Sequence, residues 1–382
     1  MHPNPDTIEF LESIVYGDRK DPLAVVTRGA LAALSGIYRG AIWLYLLPFE
    51  MGLRRRKRLD TPVISVGNLT VGGTGKTPMV QYLCTGLSRR GWNPAVLSYG
   101  YGGSLRGRFG IVSDRTSVLL TPHETGDEPV MLAESMPGVP VLVCKDRGKS
   151  GRAAIQDFGA DVLVLDDGFQ VWKLHRDLDI VLINAGKPFD NGRTLPAGRL
   201  REPSIALRRA DCIIATGVWE PDARKDTLAR ILRAAPAAPV YFGRFKPSAV
   251  ASIADGSEHP VEVLRGKRVF ALSSIARPDS FEKTLADADA EIVGRERFPD
   301  HHRYSGDDID NISRRAVETD AEYIVTTGKD AVKLHGRRFA VPAMALHGEL
   351  ELDDEASLWE LVARKVGNSP KPSKACNVTQ TR

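Results

Sequence analysis

The chain has 382 residues, 26% charged and 42% hydrophobic, ordinary proportions for folded soluble domains. This excludes a largely disordered chain, a collagen-like fibre and a multi-span membrane protein. Lys plus Arg is 52 against 48 for Asp plus Glu, a formal charge of +4, and at about 100–200 residues per domain two domains are expected. Arg54, Arg55, Arg56, Lys57 and Arg58 form one basic run that accounts for the whole excess. A general nucleic-acid binder would instead be basic across a face, so no nucleic-acid partner is expected. Cys84, Cys144, Cys212 and Cys376 are scattered, with no CxxC pair, which suits a reducing compartment rather than a disulfide frame or structural zinc. Residues 1–10 lack the basic-then-apolar order of a signal peptide, so a cytosolic location is expected.

In chain order, the first feature is the apolar stretch 29–47, with Arg39 in its middle and the basic run just beyond. A membrane-spanning helix needs about 20 mostly apolar residues, and a central arginine is costly there. Tyr38, Trp43, Tyr45 and the adjacent cations better suit a helix lying in the membrane interface. A single spanning anchor and a helix packed on the protein's own core are the alternatives. From residue 61 short apolar runs alternate with helical patterns: strands at 62–67, 95–99, 139–144, 161–166, 180–184 and 212–216, with helices at 76–90, 127–135 and 149–158. This pattern predicts an α/β fold with a mostly parallel sheet flanked by helices. Proline-rich sequence at 234–239 and then 243–247 suggests a crossover. A second series follows, with strands at 269–273, 291–298 and 323–326 and helices at 278–286 and 307–318. The expected organisation is 1–60 for membrane association, 61–240 for the main core, 241–366 for a smaller α/β lobe, and 367–382 as a disordered tail.

Thr70-Val71-Gly72-Gly73-Thr74-Gly75-Lys76-Thr77 lies between a strand and a helix. Glycines allow backbone N–H groups to close on nucleotide phosphates at the helix N-terminus. Lys76 would reach the β/γ-phosphates and Thr77 a Mg²⁺ ion, so ATP and Mg²⁺ are the expected cofactors and the fold is P-loop NTPase-like. The strict form of the loop has glycine where Thr70 stands. Partition-type ATPases carry an extra lysine where this chain has Val71, which argues against dimer-coupled ATP switching. Asp166 and Asp167 close a strand and supply the metal-organising carboxylates; the same Asp-Asp-Gly is also good turn chemistry. Asp127, in Gly126-Asp127-Glu128-Pro129, reads first as a helix cap and otherwise as a base for an acceptor hydroxyl. His301, in Asp300-His301-His302, reads as part of a polar loop or as the histidine that orients such a base. Arg147, Arg176, Arg199 and Arg201 lie near predicted strand ends, where convergence on one rim would suit a phosphorylated substrate.

The segment 66–78, Val-Gly-Asn-Leu-Thr-Val-Gly-Gly-Thr-Gly-Lys-Thr-Pro, resembles the tetraacyldisaccharide 4′-kinase (lipid A 4′-kinase) family. Gly126-Asp127-Glu128-Pro129, Asp166-Asp167-Gly168-Phe169-Gln170, Leu195-Pro196-Ala197-Gly198, Leu200-Arg201-Glu202-Pro203 and Phe298-Pro299-Asp300-His301-His302 follow in the family's order. The resemblance covers about 61–330, and the apolar segment before the basic run agrees with it. It implies a kinase at the cytoplasmic face of the bacterial inner membrane, peripheral or singly anchored. Its substrate would be an acylated glucosamine disaccharide 1-phosphate lipid, phosphorylated on the 4′-hydroxyl from ATP. It makes 61–240 the P-loop kinase core. It assigns nucleotide and metal contacts to Lys76 and Thr77, the metal to Asp166 and Asp167, and the catalytic carboxylate to Asp127 with His301 as partner. Arg147, Arg201 and Glu202 match positions used in catalysis or substrate handling. Two positions depart from the family pattern: Val171 stands where histidine is common, with His175 nearby, and Arg199 stands where proline is common.

Other readings are a soluble small-molecule kinase or ligase, and a membrane-associated P-loop ATPase without a phosphorylated product. A GTP switch is disfavoured, because Thr327-Gly328-Lys329-Asp330 has the wrong Lys-to-Asp spacing for guanine recognition.

Overall fold

The structure, a computed structural model, describes residues 13–15, 19, 21–218 and 220–367. Residues 1–10, read above for a targeting signal, and the expected tail from 368 onward lie outside the described residues.

Helix α1 (Pro22–Glu50) starts where its sequence permits: Asp21 accepts from the Ala24 N–H at 3.0 Å, and Pro22 occupies the first turn, where no N–H is needed. It extends beyond 29–47 at both ends. Leu46 and Phe49 pack with Trp172, the Ser35 hydroxyl lies 2.9 Å from the Thr194 carbonyl, and the Tyr38 hydroxyl donates to the Arg201 carbonyl at 3.1 Å. Val26 and Ile37, each 69% exposed, and Trp43 face outward. That is not the pattern of a helix buried in the protein's own core.

The first half of the chain then forms β1 (Val63–Asn68), α2 (Lys76–Arg89), β2 (Pro94–Ser98), β3 (Gly110–Ser113), α3 (Pro122–Thr125), α4 (Asp127–Ser135), β4 (Val141–Val143), α5 (Arg147–Phe158), β5 (Val162–Asp166), β6 (Leu178–Asn184), β7 (Cys212–Thr216) and α6 (Pro221–Ala234). The second half forms β8 (Val240–Ser252), β9 (Glu258–Pro260), β10 (Arg268–Ser273), α7 (Pro278–Asp287), β11 (Glu291–Arg297), α8 (Gly306–Glu318), β12 (Tyr323–Thr327), α9 (Gly328–Leu334), β13 (Ala343–Leu352) and α10 (Glu355–Val366). Among the described residues one sheet runs β11-β10-β12-β13-β8-β7-β6-β1-β5-β2-β4-β3, with β9 paired to β8. Pairs are parallel except β3–β4, β8–β9 and β8–β13. This is the mostly parallel α/β class expected from the sequence.

Helices cover both faces of the central strands, so β1, β2 and β5 are buried on both sides. Met79, Leu83, Val130 and Leu358 pack on Ile64, Val164 and Ile180 on one face. Phe169, Leu207 and Ile231 pack on Val181, Ile183 and Ile213 on the other. Each such buried side chain contributes roughly 1.5–3 kcal/mol, which holds the strand ends, and the loops that leave them, in place.

The junction between the halves corrects one expectation. No crossover occurs at 243–247; β8 runs straight through it. β8 begins beside β7, with Ile213–Thr216 opposite Val240–Gly243, and continues past the end of β7. Its Arg244–Pro247 then pair with Gly348–Glu351 of β13 as a two-stranded ribbon. Pro247 fits because the register shifts between His347 and Gly348, and a bulge tolerates a missing N–H. Since β13 returns antiparallel, β12, β10 and β11 point back at the first half. The carboxyl ends of both sets of strands therefore face each other across a cleft.

Candidate active site

Ligand sites in α/β sheets gather at the carboxyl ends of strands, and here the loop 70–77 leaves the end of β1. The buried Asn68 amide donates to the Thr74 hydroxyl at 2.9 Å, and the Thr216 hydroxyl, at the end of β7, donates to the Thr74 carbonyl at 3.0 Å. On the other side Val71 N–H donates to the Arg199 carbonyl at 2.8 Å, and Thr70 bridges Leu200. Gly75 precedes α2 with φ +85°, a left-handed conformation that a Cβ disfavours, and no side chain caps the helix. The first N–H groups of α2 are thus left for an anion. Lys76 and Thr77 occupy its first turn, and the Lys76 ammonium lies 3.6 Å from Asp167 Oδ1.

Asp166 ends β5, next to β1 in the sheet, and Asp167 turns the chain with φ +54°. Asp166 is almost wholly buried. Its Oδ2 accepts from the Ser98 hydroxyl at 2.8 Å, while its buried Oδ1 has no hydrogen-bond partner. Burial, reinforced by repulsion from Glu128 and Asp167, pushes its carboxyl up to about 6. Burial works in the same direction on Asp167, but Lys76 and Arg201 outweigh it and hold that carboxyl below the usual range. Arg201 donates to both Asp167 oxygens, at 2.9 and 2.7 Å. Arg147, the buried first residue of α5, donates to the Cys144 carbonyl and lies 5.6 Å from the Tyr99 ring centre. Burial lowers its pKa against the pull of Asp166 and Asp167.

Asp127 is not a helix cap. That position belongs to Gly126 (φ +86°), where a Cβ would sit 2.1 Å from the Tyr101 carbonyl oxygen. Asp127 Oδ2 instead meets His301 Nδ1 at 3.1 Å, with Lys333 Nζ at 3.9 Å. His301 lies beyond β11 with φ +64° and brings its ring 6.0 Å from that of Tyr101. A cavity of about 40 Å³ lined by Tyr99, Tyr101, Glu128, Asp166, Asp167 and His301 joins this pair to the acidic pair. His302 turns away: it stacks on Phe298 at 4.3 Å and binds Asp308 at 3.1 Å.

The remaining candidates separate. Glu202 is buried behind Arg201, with its oxygens taken by Arg209 (2.9 and 3.1 Å) and Gln170 (3.2 Å). Arg199 stays beside the loop, with Nε 3.7 Å from Asp190. Arg176 does not join the rim. It precedes β6 and so lies at the opposite, amino edge of the sheet, clamped to Asp179 at 2.7 and 3.0 Å. His175 contacts Arg58 at 2.7 Å and Asp177 at 3.3 Å, so it does not supply what a histidine at Val171 would. The basic run is partly engaged as well: Arg56 covers Trp172, Lys57 pairs with Asp146 at 2.9 Å, and Arg54 covers Phe49. Sequence reasoning missed Ser98, Tyr99, Tyr101, Lys329 and Lys333. For the two lysines a signal existed, since they stand four apart on a helix that directly follows a predicted strand.

Comparisons with known proteins place the chain in a family. The family model described as LpxK, tetraacyldisaccharide-1-P 4′-kinase, matches residues 27–367. The tetraacyldisaccharide 4′-kinase of Syntrophus aciditrophicus is 44% identical over 360 residues, covering 91% of this chain and 94% of the relative. That of Geobacter sulfurreducens is 41% identical over 325 residues, covering 85% and 89%. The crystal structure of the "apo" form of LpxK from Aquifex aeolicus in complex with ATP superposes with a TM-score of 0.71 at 31% identity, over 89% of this chain and 99% of that one. With its glycine loop, acidic pair and Asp127–His301 pair held on one cleft, the chain belongs to the tetraacyldisaccharide-1-phosphate 4′-kinase family.

Proposed function

We propose that this chain transfers the γ-phosphoryl group of ATP to the 4′-hydroxyl of an acylated glucosamine disaccharide 1-phosphate, a step of lipid A synthesis, with Asp127 as the base. The carrying observation is the division of labour within that carboxylate. Oδ2 is occupied by His301 and approached by Lys333, while Oδ1 is free of hydrogen bonds among the described residues. Oδ1 takes the hydroxyl proton as the sugar oxygen bonds to Pγ; the bond from Pγ to the β–γ bridging oxygen breaks, and ADP leaves. Loop 70–77 and Lys76 hold the phosphates. Arg147 and Arg201 lie near enough to Asp167 to add positive charge where the transferring group gains negative charge.

The residues fit Mg²⁺. Asp166 Oδ1 is a buried acceptor with no protein partner, and the Thr77 hydroxyl stands in the first turn of α2. Bound there, Mg²⁺ would neutralise phosphate charge. Asp166 with Thr77 would hold it, and Asp167, already paired with Lys76 and Arg201, would order its surroundings.

The site works at the cytoplasmic face of the inner membrane, with α1 lying in the interface. Its outward apolar side chains, the exposed Arg54 and Arg55 after it, and its contacts through Ser35, Tyr38, Leu46 and Phe49 with the main core support this placement over a span. A spanning α1 would carry the Thr194–Arg201 loop into hydrocarbon. Residues 61–240 form the kinase core and 241–366 the lobe that brings His301.

The test is to incubate purified protein with ATP, Mg²⁺ and the acylated disaccharide 1-phosphate in detergent and to weigh the lipid by mass spectrometry. A gain of one phosphoryl group, lost in Asp127→Ala, is expected. ATP consumed with no phosphorylated lipid would overturn the reading.

A further inference from the structure

Helix α9 lies outside the motifs that carry the resemblance, yet Lys329 reaches His301 and Lys333 lies near Asp127. Lys329 is largely buried. Its ammonium lies 2.9 Å from Asp300 Oδ1, 3.5 Å from Glu128 Oε1 and 3.3 Å from His301 Nε2. One turn on, Lys333 pairs with Asp330 at 2.7 Å, bonds to Ser274 and stands 3.9 Å from Asp127 Oδ2. An ammonium has three donors and no acceptor. Burial opposes the charge of Lys329, but Glu128, Asp300 and Asp127 outweigh it and hold the amine above its usual range, so it remains a donor.

This has a consequence at the imidazole. If Lys329 donates to Nε2, the ring proton must sit on Nδ1, the atom that faces Asp127 Oδ2. With the opposite tautomer, Nε2–H would point at an ammonium and Nδ1 at a carboxylate, and both contacts would be repulsive. The ammonium also balances Asp127, Glu128 and Asp300 around the ring. The other groups facing His301 are the Tyr101 ring, and Asp166 and Asp167 across the small cavity.

We propose that Lys329 is a positioning residue for the phosphoryl transfer: it fixes His301 as the neutral Nδ1–H tautomer, so that Asp127 Oδ2 is satisfied and Oδ1 is left to take the acceptor proton. This rests on the kinase reading above. It also gives the smaller lobe a catalytic duty, since Lys329 ties Asp300 and His301 of that lobe to Glu128 of the other.

The experiment joins long-range ¹H–¹⁵N correlation spectra of histidine-labelled full-length protein in detergent, with His301→Gln to assign the ring, to lipid-kinase kinetics across pH. The wild-type ring is expected as Nδ1–H. In Lys329→Met the signal moves to Nε2–H or imidazolium, and kcat falls 10–100-fold while KM for ATP stays within about 2-fold. The acid limb of kcat moves up by about one pH unit, because three carboxylates around the ring lose their cation. Lys329→Arg, which keeps charge and donors, restores the tautomer and most of the rate. An Nε2–H ring in the wild type overturns the proposal whether or not Lys329→Met folds. So does Lys329→Met with an unmoved ring and acid limb, even if its Tm drops. A wild-type protein that yields no phosphorylated lipid fails the kinase reading and the positioning role with it.

Discussion

The two halves of the catalytic cleft are built on different principles. The loop 70–77 and the Asp166–Asp167 pair come from adjacent strands β1 and β5, and one buried core positions both. The Asp127–His301 contact joins residues 174 apart in sequence, and its geometry depends on how the β8–β13 ribbon presents the smaller lobe. On the proposed reading, the groups that would hold nucleotide therefore lie within one half, whereas the Asp127–His301 pair forms only where both halves meet. If nucleotide binding and base activation are divided in this way, variants on the two sides should affect ATP affinity and turnover differently.

The sharpest test of that contrast pairs one variant from each side. On the proposed reading Lys76→Ala would remove a phosphate contact, so kcat/KM should fall by about 10³-fold and ATP binding should weaken measurably in calorimetry. Asp127→Ala should lower kcat by about 10³-fold while ATP affinity stays near wild type. Equal losses of ATP affinity in both would mean that the two halves are not separable.

Asp166 offers a test within the first half. Its carboxyl is raised to about 6, so its ionisation costs folded stability once pH rises above the ordinary value of 3.8, and the full cost is present above 6. In chelator at pH 8, Asp166→Asn should raise Tm, corresponding to about 1–3 kcal/mol. The gain should vanish near pH 4, and kinase activity should be lost. A lower Tm at pH 8 would mean that the Ser98 hydrogen bond outweighs the charge. A variant on α1 extends the comparison to the membrane side. Ile37→Asp should weaken sedimentation with anionic vesicles several-fold and leave ATP binding unchanged. The smallest effect concerns the neighbour of His301. His302→Ala should lower stability by about 1 kcal/mol, visible in denaturant melts, with kcat within about 2-fold; a larger kcat loss would erase the distinction between the two rings.

The first half of the cleft was largely legible in the sequence. Gly75, Lys76 and Thr77 lie in one stretch, and their backbone demands are local. Asp127 was ambiguous, because a cap and a base look alike until the partner of the carboxylate is seen. Arg176 was misplaced among rim cations because strand-end proximity does not distinguish the two edges of a sheet. Glu202 gave no sign of Arg209 as its partner.

By itself the sequence determined what short-range chemistry dictates: the alternation of apolar runs and helices, the glycine loop, the strand-closing carboxylates and the apolar segment before the basic run. The tertiary structure alone decided which groups from distant segments meet. It turned 243–247 from a crossover into a continuous strand, and so turned the smaller lobe to face the first. It thereby brought His301 to Asp127 and Lys329 to Glu128. Such meetings depend on the summed geometry of sheet, ribbon and helices, which no local pattern encodes.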